Sequence, residues 1–497
     1  MALEQPDASH ALPANDVRIA LFSDSLSTSL NHHPMKLKST ESLDGFQLVG
    51  LDTSPTPKTS IADTAAGSAA KHLKTDTNYH VCEPTPAYQS VMRWMSEHIY
   101  DPKSLGDLNA IMNDKSCPGD LVSKANRALA VTGDKYDKVL SAEETKALND
   151  STAGHFGGVG VLIVNLPTAA SKKNSTSDSA ATKDAPTEPT ILRTIDGTPA
   201  ASANLHPGDV IVRVDGRDTS HMNIDNVELL LRGDIGTSVE VVVNRHGDLI
   251  DQKFTRANIE TPSVEKPKDL GNGITYIRVE NFSNSNTAND LKKALQANPQ
   301  SKAFVIDLRD NPGGYVDQSL HAAELFIQEG VLLHERSRES SAPSDPVYSD
   351  VTYRADSHGQ VITTVYAKTT VTDVEPRMPD VVGERPVVLL VNRGSASAAE
   401  IFTGALHDTG KATTIGETTY GKGIAQLLLQ GGPEGTTNKV TNSHYTTPSG
   451  VWPGDAANNR VGLQPDIKVA QPANIEYGSP QDDQLNAAVA NLLERTK

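Results

Sequence analysis

The amino-acid sequence predicts a multidomain protein of the α/β (α+β) class. Its 497 residues suggest roughly three domains at about 150 residues each. Apolar runs typical of buried strands alternate with helical stripes between residues 260 and 470, which is the pattern of an α/β core. Short strands separated by turn residues fill residues 156–259, so a smaller and mainly β domain should precede that core.

Composition narrows the classes of function. The chain has 45 Lys and Arg against 62 Asp and Glu, a net charge of −17. This charge disfavours binding to the phosphates of nucleic acids and to anionic membrane surfaces. Hydrophobic residues make up 37% and aromatic residues 4% of the chain, so we expect part of it to contribute nothing to a core.

Residues 1–85 fit that description, because they are rich in Ser, Thr, Asp, Pro and Ala and show no sustained periodicity. They are predicted to be a disordered extension. No signal peptide is predicted from the first residues, and no apolar run is long enough to predict a transmembrane segment. Cys82 and Cys117 allow one disulfide at most and cannot form a zinc site of cysteines alone.

Residues 86–155 are predicted to form an N-terminal helical segment. Apolar residues recur with helical spacing from Tyr88 to Ile99, and the helix should end before Asp101 and Pro102. A second helix is expected over residues 142–149, ahead of a glycine cluster at residues 154–160. Core packing is the simplest role for the apolar stripe.

Residues 156–259 are predicted to form a small barrel with two helices. One helix is expected over residues 198–203, and another carries Val227, Leu230 and Leu231 on one face and ends at Gly233. An insert over residues 168–188, rich in Lys, Ser, Thr and Asp, is interpreted as a solvated loop. The predicted strands are residues 159–164, 191–195, 210–214 and 239–243.

The region 260–470 is predicted as the α/β core, followed by a tail over residues 471–497 with a closing helix at 482–493. Residues 336–380 are polar and irregular, and we expect them to leave the core as an excursion. The predicted core strands are residues 274–279, 303–308, 387–391, 413–415 and 424–429. The predicted core helices are residues 287–297, 318–328 and 397–408.

The most informative segment is Gly-Ser-Ala-Ser-Ala at residues 394–398, between a buried strand and a helix. Ser397 and Glu400 match a capping box, in which the serine only caps the helix. In the other interpretation Ser397 is a nucleophile on a tight strand-to-helix turn, where the amide of Ala398 and the positive helix end face an oxyanion. From these residues alone, the capping interpretation is favoured.

A nucleophilic serine needs a base, and no histidine motif is present. His407 lies ten residues along the same helix, which is too far away. Lys422, between Gly421 and Gly423, is the other candidate, because close backbone packing can keep water from its amine. A lysine titrates near 10.4, so acting as a base near pH 7 requires desolvation worth roughly 4 kcal/mol. A solvated loop lysine is the ordinary alternative.

The spacing from Gly416 to Gly421 and Lys422 also approaches a phosphate-binding P-loop. Gly423 stands where that motif requires Ser or Thr, and residues 424–429 are strand-like rather than helical, so nucleotide binding is disfavoured. On a strand, Lys422 and Gln426 share one face. Gln426 is therefore positioned to hydrogen-bond the lysine amine.

The strand order of residues 156–259, together with the phrases at residues 156–161 and 205–211, resembles a PDZ domain. The resemblance implies that Gly157, Gly158, Val159 and Gly160 offer backbone amides to the terminal carboxylate of a peptide. The peptide then adds a strand to the sheet edge. The alternative is that these glycines only close a turn.

Three motifs in order resemble the carboxyl-terminal processing peptidases, the tail-specific proteases of serine peptidase family S41: Asp-Leu-Arg-Asp-Asn-Pro-Gly-Gly at 307–314, Gly-Ser-Ala-Ser-Ala at 394–398 and Gly-Lys-Gly-Ile-Ala-Gln at 421–426. The resemblance implies a crotonase-like (ClpP/crotonase) protease core with an inserted PDZ-like β-barrel domain. It implies that Ser397, not Ser395, is the nucleophile and that Lys422, 25 residues later as in that family, is the base.

The same resemblance assigns the supporting residues. Gln426 supports the lysine, and Asp408, at the end of the nucleophile helix, is a further supporting residue. Ala398 and a glycine of the turn, Gly313 or Gly314, supply the backbone amides of the oxyanion hole.

The implied activity is that of a serine endopeptidase that recognises free C-terminal tails of proteins or peptides through the PDZ domain and cuts through an acyl-enzyme, with no metal or cofactor. Two other functions stay open: a catalytically silent tail-binding scaffold and another crotonase-like acyl enzyme. The resemblance implies an extracytoplasmic compartment, periplasmic or secreted, whereas the absence of a predicted signal peptide leaves the cytoplasm open as an expectation.

Overall fold

The computed structural model describes residues 84–496, apart from residues 116–118, 168–186, 196, 204, 221, 223, 261, 367–368, 456–458 and 472–476. Residues 1–83 of the extension predicted over residues 1–85, most of the insert predicted over residues 168–188, and both Cys82 and Cys117 lie outside the described residues. In the described part of the chain, no helix has the length and apolar character that crossing a membrane requires.

The α-helices of the described residues are α1 (Pro86–His98), α2 (Leu108–Met112), α3 (Leu121–Leu129), α4 (Ala142–Thr152), α5 (Ile224–Leu231), α6 (Thr287–Gln296), α7 (Val316–Glu324), α8 (Ala398–Asp408) and α9 (Asp483–Arg495). The helices predicted over 287–297 and 397–408 are confirmed to within one residue at each end. The helix predicted over 318–328 lies slightly earlier, as α7.

The strands that precede the core are β1 (Lys138–Leu140), β2 (His155–Gly158), β3 (Val161–Pro167), β4 (Thr187–Thr194), β5 (Val210–Val214), β6 (Arg217–Asp218), β7 (Ser238–Arg245), β8 (Asp248–Thr255) and β9 (Ala257–Glu260). Those of the core are β10 (Lys268–Asp269), β11 (Ile274–Arg278), β12 (Ala303–Asp307), β13 (Gly330–Arg338), β14 (Tyr348–Ala355), β15 (Gln360–Tyr366), β16 (Thr369–Glu375), β17 (Val387–Val391), β18 (Ala412–Gly416), β19 (Ile424–Leu429), β20 (Thr437–Thr446) and β21 (Ile467–Lys468).

The core is built on a sheet in the order β10-β11-β12-β17-β18-β21. In this sheet the five strands β11, β12, β17, β18 and β21 run parallel to one another. Phe304 and Ile306 face a cluster with α6, α7 and α8, while Ala303 and Val305 face α9. Because both faces are covered, these strands are continuous apolar runs, which is why the sequence predicted them well. Strand β17 matches its prediction to the residue.

The second core sheet has the order β1-β20-β13-β14-β15-β16, with β19 also paired to β20. The prediction of an irregular excursion at residues 336–380 is therefore wrong, since most of these residues form antiparallel strands. Strand β14 alternates buried and exposed residues, with Val351 and Tyr353 inside. Because one face of the sheet is exposed to solvent, every second residue of such a strand is polar. The continuous apolar runs that identify a strand buried on both faces are therefore missing here.

The smaller domain has a sheet in the order β3-β4-β5-β7-β8 closed over its own apolar cluster with α5. Residues 198–203 form turns rather than the predicted helix. The Ser202 amide donates to the Thr198 carbonyl (3.2 Å) and the Ala203 amide to the Ala200 carbonyl (3.2 Å), so the segment makes single turn bonds that do not continue into a regular helix. The Ala200 amide donates to the Val159 carbonyl (2.8 Å). In the described part of the chain, β3 pairs only with β4, so its other edge is open.

The segment before the smaller domain packs on the second core sheet. Helix α1 buries Tyr88, Met92 and Met95 in a cluster that also contains Val440 of β20. Strand β1 extends that sheet by pairing antiparallel with residues 437–439 of β20. The chain of residues 84–152 is thereby attached to the strand that lies next to β19.

Candidate active site

The three motif segments meet at one edge of the parallel sheet. Residues 308–314 follow β12, residues 392–397 follow β17 and residues 417–423 follow β18, and these three strands are neighbours. Parallel strands place their carboxyl ends together, where α/β proteins build their sites. Direct bonds join the segments: the Ala396 amide donates to the Asn311 carbonyl (2.9 Å) and the Tyr420 amide to the Ser395 carbonyl (2.9 Å).

Ser397 occupies the turn between β17 and α8 with a strained backbone. Its φ is 54° and its ψ is −118°, a conformation that suits glycine and disfavours a residue with a Cβ. The residue is fully buried, and its Oγ has no hydrogen-bond partner among the described residues. Strain and a buried unpartnered hydroxyl each cost stability, and both are typical of functional sites.

This strain leads to a prediction about stability. Ser397→Gly and Ser397→Ala both remove the hydroxyl, but only glycine relaxes at this φ and ψ. We expect the glycine variant to be the more stable by about 1 kcal/mol, which corresponds to a melting temperature about 2–4 °C higher. Calorimetry of the two full-length variants measures this difference. An alanine variant as stable as the glycine variant would show that the turn is not strained.

Ser395 is engaged in the turn itself. Its Oγ donates to the Leu308 carbonyl (2.8 Å) and accepts from the Asn392 amide (3.0 Å). The side chain is fully buried. Of the two serines in the motif, the structure therefore ties the Ser395 hydroxyl to the backbone and leaves the Ser397 hydroxyl uncommitted.

The Glu400 carboxylate joins the serine turn to the lysine turn. It accepts the amides of Ser397 (2.9 Å) and Lys422 (2.8 Å) on Oε2, and the amide of Gly421 (2.8 Å) and the Thr419 hydroxyl on Oε1. Burial raises the pKa of Glu400, and these hydrogen bonds act in the opposite direction. Sequence reasoning treated Glu400 only as a capping residue, whereas the structure makes it the link between both predicted catalytic residues.

Lys422 is buried, with 2% of its surface exposed. Its Nζ lies 4.1 Å from the centre of the Tyr136 ring, so an aromatic face rather than bulk water covers the amine. Gln426, on β19, is also fully buried, and its Nε2 donates to Thr441 Oγ1 (3.2 Å). The interpretation of Lys422 as a solvated loop lysine is wrong, and the strand that follows it is not the helix of a P-loop.

Tyr445 is a site residue that sequence reasoning missed. The hydroxyl of this fully buried side chain donates to the Lys422 carbonyl. Burial raises the pKa of Tyr445 well above its usual value, and the neighbouring Ser397 side chain lowers it in part. Tyr445 thus lies between the two predicted catalytic residues, but it belongs to β20, and no local pattern connects it to either motif.

The predicted oxyanion residues pack against the serine turn. A Cβ on Gly313 would lie 2.6 Å from the Ala396 carbonyl oxygen and 2.8 Å from the Ala398 amide nitrogen, so this approach requires glycine. The Gly313 amide already donates to Asn311 Oδ1 (2.9 Å). Within the described residues, the amides of Gly314 and Ala398 donate to no other group. Those two amides are the ones open to a ligand.

A buried ion network fixes the turn that carries these glycines. Arg309 is fully buried and pairs with Asp307 and with Asp482, the residue that caps α9. The Asp310 carboxylate accepts a hydrogen bond from the Asn392 side-chain amide (2.9 Å), and the Asp310 backbone amide donates to Asn392 Oδ1 (2.9 Å). The C-terminal helix therefore helps to hold the turn after β12 against the turn after β17.

Asp408 does not meet the other predicted site residues. It lies at the far end of α8, about 16 Å from Ser397 at the helical rise per residue, where it accepts from the Ser449 amide (2.9 Å). His407 beside it contacts Asp408 (2.8 Å) and Asp466 (3.1 Å). Those carboxylates raise the pKa of His407, which is consistent with a structural cluster remote from the serine.

The glycine run of the smaller domain is buried along its length. Gly157 and Gly158 pair with β9, and the carbonyls of Val159 and Gly160 accept the amides of Ala200 (2.8 Å) and Ile195 (2.9 Å). The amides of Val159 and Gly160 donate to no other described residue. If the run binds a carboxylate, the amides at the start of the open-edged strand β3 are the available donors.

Among the residues that the structure describes, no group of three or more His, Cys, Asp or Glu side chains is arranged to hold a metal ion.

Comparison with known proteins identifies both regions. The family model of peptidase family S41 matches residues 273–469, and a PDZ domain model matches residues 190–245. A carboxy-terminal-processing protease of Bartonella bacilliformis is 30% identical over 365 residues, covering 72% of this chain and 71% of its own length. A carboxyl-terminal-processing protease of Synechocystis sp. is 29% identical over 370 residues, covering 73% and 74%. Among solved structures, a photosystem II D1 C-terminal processing protease aligns with a TM-score of 0.47 and 24% identity, covering 77% of this chain and 92% of that one.

Proposed function

Since the chain belongs to peptidase family S41 and carries a PDZ domain, we propose that it is a serine endopeptidase with a Ser397-Lys422 dyad that processes the C-terminal tails of proteins. The observation that carries this proposal is the Glu400 carboxylate, which binds the backbone amides of both Ser397 and Lys422. That shared acceptor supports a fixed relation between the Ser397 hydroxyl, which has no hydrogen-bond partner among the described residues, and the buried Lys422 side chain.

In this proposal Ser397 Oγ attacks the carbonyl carbon of the scissile peptide bond while Lys422 Nζ accepts the hydroxyl proton. The oxygen of the tetrahedral intermediate accepts hydrogen bonds from the amides of Ala398 and Gly314. When the C–N bond breaks, the lysine returns the proton to the leaving amine and an acyl-enzyme remains. Water, deprotonated by the same lysine, then releases the acid and restores the serine.

The other predicted residues take supporting roles. Gln426 donates to Thr441 Oγ1, and in this proposal its side chain holds the lysine amine from that side. Asp408 stabilises the far end of α8 through the Ser449 amide, so in this account it acts on folding rather than on the reacting atoms. The Gly313 backbone is a close-packed spacer between the two turns.

The PDZ domain would present the substrate. The open edge of β3 can accept an added strand, and α5 lies beside β3 over the same core. In this mode backbone bonds give affinity, and the terminal carboxylate is held by amides at the strand start. Here those amides belong to Val159 and Gly160.

This mode predicts a strong dependence on the free carboxylate of the substrate. Charge-assisted bonds to that carboxylate are worth about 1.5–3 kcal/mol, or about ten- to a hundredfold in affinity. We expect a tailed protein that ends in a small or apolar residue to be cut that much more slowly after its C-terminus is amidated. The measurement is the rate of cleavage below saturation, with fragments mapped by mass spectrometry.

A short peptide that carries the cleavage sequence without the tail is the matched control, and its rate should not change on amidation. Equal rates for the free and the amidated tail would mean that the glycine run only closes a turn and that selection happens at the catalytic groove.

A further inference from the structure

The segment before the PDZ domain reaches into the catalytic core. Strand β1 pairs with β20 in a fixed register, with Lys138 opposite Lys439. This pairing places the two residues that precede β1, Tyr136 and Asp137, beside the buried end of β19. Tyr136 contacts Lys422, and Asp137 contacts Thr441, the partner of Gln426.

Tyr136 covers the lysine. Only 3% of its surface is exposed, and it packs with Ile424 and Tyr420, which flank Lys422 in the sequence. Its ring centre is 4.1 Å from Lys422 Nζ, well inside the range of a cation–π contact. The ring therefore forms one wall of the space in which the lysine amine lies.

Asp137 supports the glutamine. Its Oδ1 accepts the Thr441 amide (2.8 Å), and Thr441 Oγ1 accepts Gln426 Nε2 (3.2 Å). The Asp137 Oδ2 is held by the Thr132 hydroxyl (3.0 Å). Tyr136 thus lies behind Lys422, and the next residue, Asp137, lies behind Gln426. The segment before β1 therefore forms part of the site's supporting structure.

A lysine needs such support because its side chain has four rotatable bonds and loses about 2 kcal/mol of rotamer entropy when fixed. An aromatic face attracts an ammonium group and excludes water without offering a hydrogen bond that would turn the amine away. Resting on the proposed Ser-Lys chemistry, we infer that Tyr136 is a positioning residue for Lys422: its ring holds the amine in the orientation that serves Ser397.

Other ionisable groups lie around the lysine and have to be separated from the effect of the ring. Glu400 accepts the Lys422 amide, Asp455 forms a backbone bridge with Lys422, and Lys439 Nζ lies 5.8 Å from the same ring. Tyr445 donates to the Lys422 carbonyl. Burial raises the pKa of Asp137 to about 7, so a pH profile of cleavage alone would mix two ionisations.

The test therefore measures the Lys422 amine itself in the full-length protein. Trace acylation with acetic anhydride at a series of pH values, followed by mass spectrometry of the peptide that contains Lys422, gives the pH at which half of the amine is neutral. In Tyr136→Leu, which keeps an apolar wall without an aromatic face, this midpoint should fall by about half to one and a half pH units. In Tyr136→Phe, which keeps the ring, it should stay within about 0.3 units, well below the shift expected from loss of the cation–π contact.

Cleavage kinetics on the same proteins test the positioning role. Tyr136→Leu should lower kcat about ten- to a hundredfold with little change in KM, since a misplaced catalytic group costs about that much. Tyr136→Phe should recover most of the rate. If Tyr136 orients the amine, Tyr136→Leu should have more neutral Lys422 amine and yet cleave more slowly. Loss of the base could not give this pair of results, because it would require less neutral amine.

Tyr88 provides a matched control in the same segment. It is 1% exposed, and its ring lies 4.9 Å from Lys124 Nζ, far along the chain from the proposed dyad. Tyr88→Leu should destabilise the segment to a similar degree and leave the Lys422 midpoint unchanged. An equal loss of kcat in Tyr88→Leu and Tyr136→Leu would overturn the inference, because the effect would then come from folding of the segment.

The two proposals fail in different ways. An unchanged Lys422 midpoint in Tyr136→Leu, in a protein whose wild type cleaves at Ser397, overturns the role of Tyr136 alone. A folded wild type that shows no cleavage dependent on Ser397 overturns the proposed function, and the positioning role with it.

Discussion

Ser397→Ala should lower peptide cleavage by about four orders of magnitude or more, the usual loss when a catalytic nucleophile is removed. Ser395→Ala should keep substantial activity. The structure gives the reason: the Ser395 hydroxyl is bonded to the Leu308 carbonyl and the Asn392 amide, while the buried Ser397 hydroxyl has no hydrogen-bond partner in the part of the chain that the structure describes. The measurement is kcat/KM on one tailed substrate for both variants.

The stability of the two variants is the control for this comparison. Ser395→Ala leaves the Asn392 amide without its acceptor, although the Leu308 carbonyl keeps the Asn311 amide (3.1 Å). The loss should cost about 1–3 kcal/mol, so this variant is expected to be the less stable protein and yet the active one. Equal loss of activity in both variants, with folding intact by circular dichroism, would contradict the assignment of the nucleophile.

Lys422→Ala should abolish cleavage, and Lys422→Arg should not restore it. A guanidinium does not lose its proton in a protein, so arginine preserves the charge but cannot act as the base. Wild-type cleavage should also rise with pH, because only the neutral amine can accept the serine proton. Metal chelators should have no effect on the rate.

Lys439→Arg is the matched control, since Lys439 is buried near the Tyr136 ring but belongs to none of the three motifs. It should cleave at close to the wild-type rate. A Lys422→Arg enzyme as fast as the wild type would rule out the dyad, whatever the pH dependence.

The parallel core was predictable from the sequence because its strands are covered on both faces. Strands β17 and β19 were placed to the residue, and the motifs that follow β12, β17 and β18 meet because neighbouring parallel strands end at one edge. The antiparallel strands β13 to β16 were missed because one face of that sheet is polar and their pattern resembles loop sequence. The helix predicted over residues 198–203 failed for another reason: the segment is short, and it forms single turn bonds without the further turns that repay the cost of starting a helix.

The candidate site could be predicted only as far as its local motifs extend. Spacing and resemblance singled out Ser397 and Lys422, but the groups that orient them come from distant parts of the chain. Tyr136 precedes Lys422 by 286 residues and Tyr445 follows it by 23, and each reaches the lysine through the pairing of β20 with a neighbouring strand. Glu400 was visible as a cap, but its bond to the Lys422 amide depends on the folded turn after β18.

The central claim, that Ser397 is a nucleophile activated by Lys422, is tested most directly by covalent labelling. The folded wild-type protein is treated with a fluorophosphonate probe, digested and mapped by mass spectrometry, in parallel with Lys422→Ala. This account predicts one adduct on Ser397 in the wild type and none in Lys422→Ala under the same exposure. An adduct on another residue, equal labelling of Ser397 without the lysine, or a folded wild type that stays unlabelled would contradict it.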